Sequence, residues 1–264
     1  MKSITLVLLV IAYSALSQPA NLKKIREVKL QANVKAISVD RLGGFYTSND
    51  CGIEQFDPEG KLKARYNPKG CTSTQLLEAW ALARIYAYQK EKQQFIVFDS
   101  KMDILEVMPI DPSFAVEPQL ATPTSDLKSY WILDIDNSLK KVDLNTKSVS
   151  LESEDLKNIK GRFIHIREYQ GMLFILNVES GIYIINKLGK LIHTIDASNL
   201  SYFSFAGEDL YYLRGNQLHF YDIFSQDSYS IEISVGYKFA VATDERLILI
   251  KDGLAEMFEF TPRK

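Results

Sequence analysis

Few residues in this chain have side chains and spacings suited to chemistry. Cys51 and Cys71 are the only cysteines, and the histidines are His165, His193 and His219. An even cysteine count behind an export leader favours a disulfide over two thiols. A catalytic cysteine would need a candidate base close by, and neither has one. Each histidine sits in a predicted strand between large apolar residues, and no two have helical ligand spacing, so all three are read as hydrogen-bonded packing residues. The run Asp134-Ile135-Asp136-Asn137-Ser138 opens like an acidic calcium loop, but it lacks the Gly and closing Glu of an EF-hand, and a hairpin turn accounts for it. No G-x-S-x-G, H-E-x-x-H, P-loop or dinucleotide fingerprint occurs. The sequence therefore assigns no catalytic residue, no metal ligand and no cofactor. Asp40 and Glu78 are acids that a bound cation would use; both are read as turn or strand-edge charges.

A repeat positions these residues. Residues 161–196 read as four short strands, 163–167, 172–178, 182–186 and 191–196, joined by tight turns. The third strand carries an apolar residue, two variable positions, an apolar or aromatic residue, then Asp or Asn. That pattern ends at Asp57, Asp99, Asp143, Asn186 and Asp222, with a weaker copy at Glu259, giving spacings of 42, 44, 43, 36 and 37. A four-stranded unit recurring about every 40 residues predicts an all-β, six-bladed β-propeller. Blades one to five are expected over residues 33–66, 75–110, 118–152, 161–196 and 200–233. Residues 237–264 supply only three strands, and residues 21–31 read as an isolated one. The simplest closure pairs that N-terminal strand with the last three. In blade two, residues 76–84 (LLEAWALAR) have helix-forming composition, yet the repeat register makes their first half an inner strand. His165 also falls on an inner strand, near the channel. The aromatic residues of blade five are read as packing between blades.

In this register Cys51 lies in a second-to-third strand turn and Cys71 in the connection between blades one and two. Both connection types emerge on one face, so the two can meet. Closing the loop between them contributes about 3 kcal/mol under the chain-entropy model.

The turn motifs, FYTSND followed by FD-x-x-G-K within residues 43–61, resemble those of six-bladed propellers of the NHL and TolB-like kind. WD40 signatures are absent, since neither Trp80 nor Trp131 is followed by Asp. The resemblance implies binding at loops around the central channel, and no family functional residue has a matching motif to carry over.

Residues 1–17 combine Lys2, the uncharged run 4–15 and a small-residue site Ala15-Leu16-Ser17, so they read as a signal peptide cleaved after Ser17. The alternative is an uncleaved buried strand. The run is too short for a permanent anchor, which predicts a secreted or periplasmic single domain, 18–264, without membrane insertion. Removing Lys2 leaves 30 Lys and Arg (31 less 1) against 33 Asp and Glu, a balance that predicts no nucleic-acid partner. The expected function is an exported, noncatalytic scaffold binding a protein, a peptide or a cell-envelope component. Its expected face carries Asn49, Asp50, Lys69, Thr72, Asp136, Asn137, Glu179, Arg214 and Asn216, from second-to-third strand turns and interblade connections. The alternative is a metal-dependent, lactonase-like hydrolase at the channel; a third reading is an accessory subunit packing through its outer strands.

Overall fold

Short runs with large apolar side chains on both faces bury most easily when sheets stack face to face. In the computed structural model, which describes residues 18–19, 22–251 and 253–262, six four-stranded antiparallel sheets meet this condition as the blades of a propeller. The expected leader, residues 1–17, lies outside the described residues. The innermost strands are Ala36–Val39, Leu76–Glu78, Leu120–Pro123, Phe163–Tyr169, Phe203–Ala206 and Phe239–Ala242. Neighbouring innermost strands pack against one another and are largely buried, whereas outer strands such as Leu62–Tyr66 and Ile104–Pro109 are mostly exposed. Blade two follows the repeat register: Leu76–Glu78 is a strand, and Leu82 adopts a left-handed φ of 58° in the turn that follows. Packing against the neighbouring blades overrides helix propensity there.

The recurring acid is a turn device. The Oδ1 atoms of Asp57, Asp99, Asp143, Asn186 and Asp222 each accept backbone N–H bonds from residues two to four positions ahead. A short side-chain acceptor at this point organises the turn into the outer strand, and the repeat is legible because each of the five blades with such a turn has one. Six of blade five's aromatic residues, Tyr202, Phe203, Phe205, Tyr211, Tyr212 and Phe220, are buried, while Phe224 is exposed.

Ring closure follows the expected pairing. Lys23–Lys29 lies antiparallel to Leu254–Glu259, with Val28 opposite Ala255. Val28 is the closing strand's buried side chain, and it joins an apolar cluster with Met257 and Phe56. Gly60, at φ 78°, lets a blade-one turn approach this seam: a Cβ there would lie 2.7 Å from Val28 and 2.6 Å from Met257. Gln18–Pro19 adds a short parallel pairing to the outer strand Ser228–Glu232 of blade five.

Glu256 is the polar centre of the seam. It accepts from Lys24 at 3.0 Å, from Lys251 at 3.1 Å and from the Tyr237 hydroxyl. Burial opposes its charge, but these donors outweigh it and hold the carboxyl at about 2. A depressed folded value stabilises above the unfolded value and is lost as pH falls through the folded one. Melting the parent and Glu256→Gln from neutral pH down to about pH 2 should show the variant losing less stability on acidification. Parallel curves would remove Glu256 as the acid-sensitive link.

Candidate functional site

The topology gives the propeller two unlike faces. Second-to-third strand turns and interblade connections form one; first-to-second and third-to-fourth turns form the other. The disulfide Cys51–Cys71 sits on the first, with Cα atoms 4.2 Å apart. The nine residues expected to bind also lie on that face, and their partners are local. Asn49 bonds Gln31 and the Cys51 N–H, and Asp50 pairs with Lys35 at 3.3 Å. Asp136 accepts from the Ser138 N–H and pairs with Lys157 at 3.6 Å, while Asn137 donates to the Ile159 carbonyl. Glu179 accepts the Arg162 N–H, and Asn216 donates to Glu232. Thr72 is buried; Lys69 and Arg214 are exposed. None of these bonds joins one of the nine to another.

Asp134, the first residue of the calcium-like run, is buried and fully engaged. It accepts from the N–H groups of Val116, Glu117 and Ile135 and from Lys140. Burial raises its carboxyl, but those donors outweigh it and keep the value below that of an ordinary aspartate. The run is a hairpin turn stapled to the incoming chain.

The opposite face surrounds the other mouth of the channel. Trp80, 43% exposed, stands there on the turn after Leu76–Glu78. It forms a wall common to two cavities of about 310 and 300 Å³. The first is also lined by Arg84, Pro123, Leu127, Arg167 and Tyr169; the second by Arg41, Leu42, Pro58 and Arg246. Glu168 closes one side, accepting from Trp131 Nε1 at 2.6 Å and the Ser125 N–H at 3.0 Å.

Behind this mouth an ion pair crosses the channel from blade two to blade four. Arg167 Nε lies 2.9 Å from Glu78 Oε2, and Arg167 Nη1 donates to Ser204 of blade five at 2.6 Å. Glu78 Oε1 also accepts the Trp80 N–H at 3.0 Å, so the same carboxylate holds the loop that presents the indole. Burial disfavours the guanidinium charge, and Glu78 together with the nearby Tyr202, Tyr211 and Tyr169 more than offsets it. Burial, and then the Arg167 charge, push the nearby His165 imidazole down to about 3, so it is neutral at physiological pH. His165 packs against Tyr202 and Phe203 at 4.8 and 4.7 Å.

The acids a channel cation would use are thus already engaged. Asp40 accepts from the Leu42 and Gly44 N–H groups and the Tyr46 hydroxyl. Glu78 is not the strand-edge charge expected from the sequence, because Arg167 faces it across the channel. Trp80, Arg84, Arg167 and Glu168 were not legible as a site. Their only sequence signal is an Ala-Trp-Ala turn embedded in helix-like composition, and Glu78 and Arg167 are 89 residues apart. Glu78→Ala leaves a buried guanidinium without its counter-charge and should cost about 3–5 kcal/mol in urea unfolding. Glu78→Leu combined with Arg167→Met should cost less than Glu78→Ala alone. A double variant worse than the single would contradict this account of the pair.

No protein-family model matches the chain, and no curated protein does. Solved structures do: 1399 chains match, so the architecture is too widely used to specify an activity. One, from "Crystal Structure of Mitotic Checkpoint Complex", has a TM-score of 0.65 and 10% identity, covering 99% of this chain and 100% of its own. At that identity the likeness shows the fold alone, a propeller.

Proposed function

We propose that the protein is a noncatalytic scaffold that holds a protein or peptide partner at the channel mouth where Trp80 stands. One observation carries this reading: a half-exposed indole between two cavities, on a loop held from behind by a buried ion pair. Aromatic anchors beside preformed pockets are characteristic of interface hot spots. The similar solved chain comes from a structure titled as a complex, a setting that agrees with scaffold use without assigning a partner. Export to a secreted or periplasmic setting, with cleavage after Ser17, belongs to the same proposal; the disulfide supports it. No helix among the described residues is long and apolar enough to cross a membrane. The NHL or TolB-like character of the turns is part of the proposal too. The nine residues of the opposite face, Asn49 to Asn216, form a second candidate contact surface.

The test begins with the mature protein as bait for cell-envelope and culture fractions, and continues with titration of the purified partner. Trp131 is buried and Trp80 exposed, so a partner at the mouth should shift indole emission to the blue. Trp80→Ala should weaken binding about thirtyfold, the loss of a hot spot of about 2 kcal/mol. Binding that ignores Trp80→Ala but fails on charge reversal at Asp136, Glu179 and Arg214 would move the site to the opposite face.

A further inference from the structure

The cavities on the Trp80 face run together. Trp80 is common to the first two, and the second shares Ala206, Gly207, Asp244 and Glu245 with a third of about 560 Å³. The result is a groove across the face from blades two to four, past the channel mouth, to blades five and six. Its middle is mixed, with Trp80, Pro58 and the 66% exposed Leu42 offering apolar surface beside Arg41, Glu59 and Arg246.

Its two ends differ in charge. At one end Arg84 is exposed and shares the cavity with Glu168, and Arg167 is neutralised by Glu78. At the other, Glu208, Asp209, Asp222, Asp244 and Glu245 line the third cavity, and none of them joins an ion pair among the described residues. Burial, then repulsion from Asp222 and Glu208, push the Asp209 carboxyl up to about 6. These acids are spread over two blades. Among the described residues no three His, Cys, Asp or Glu side chains converge to hold a metal ion. The complement of such a surface is a cation carried on a longer ligand.

We propose that this groove binds an extended segment of a partner protein, with an apolar or aromatic side chain against Trp80 and lysine or arginine side chains at the Asp244 and Glu245 end. The proposal rests on the scaffold reading and names the chemistry of its partner. Successive cavities joined by shared walls suit an extended chain, whose alternate side chains point the same way. The acidic end sets direction and selectivity, because like charges there repel an acidic segment.

The experiment selects displayed random peptides of about twelve residues, about 40 Å when extended, on the mature, disulfide-bonded protein. Enriched sequences are then synthesised and titrated. They should carry Lys or Arg at a set distance from an apolar or aromatic residue. Trp80→Ala and the pair Asp244→Lys with Glu245→Lys should each weaken binding about tenfold or more. Trp80→Phe should retain binding, as should Glu106→Lys on the exposed outer strand Ile104–Pro109. Thermal melts confirm that each variant is folded. Peptides that depend on Trp80 but carry no basic residue and ignore the lysine pair would overturn this inference and leave the binding mouth standing. Peptides indifferent to Trp80→Ala would overturn both, and failure to enrich any peptide would overturn the extended-segment inference alone.

Discussion

Pairing of Lys23–Lys29 with Leu254–Glu259 is the constraint on which the other features depend. Without it, the last blade has three strands and the first loses the Val28 side chain that packs beneath Gly60. Closure joins residues more than 220 positions apart, so its entropy cost falls on the whole chain. A seam with one buried valine and a hydrogen-bonded glutamate meets that cost only because the same blade is packed on both faces by its neighbours. Once the ring is shut, six innermost strands converge and their turns are held around one opening.

What occupies that opening is a charge pair rather than an empty pore. A buried guanidinium and carboxylate gain from each other about what they lose in leaving water, so such a pair adds little net stability. It adds position. Glu78 holds Arg167 and the Trp80 backbone at once, Arg167 holds Ser204, and blades two, four and five are thereby locked around a half-exposed indole. An aromatic anchor fixed before its partner arrives loses less entropy on binding.

Whatever depends on local chemistry repeated blade by blade was legible in the sequence. The turn-capping Asp and Asn side chains at positions 57, 99, 143, 186 and 222 marked the repeat, and the incomplete last unit pointed to closure by the N-terminal strand. The disulfide followed from placing Cys51 and Cys71 on the same face. The channel pair was not legible, because nothing near Glu78 in the sequence indicates that Arg167 will face it. Trp80 was obscured in the same way, since the residues around it favour a helix and only packing between blades makes their beginning a strand. Polar residues in the turns of the other face stood out as candidate binders, yet several of them satisfy their own turns or the neighbouring connection.

The central claim is that partners bind on the face of Trp80, and photo-crosslinking tests it most directly. A benzophenone amino acid is placed at Leu42, on the rim of the groove, or at Asn216, on the opposite face, and the protein is irradiated in the cells that produce it. The account predicts a discrete adduct from position 42 that Trp80→Ala abolishes. Adducts from position 216 with none from position 42 would contradict it.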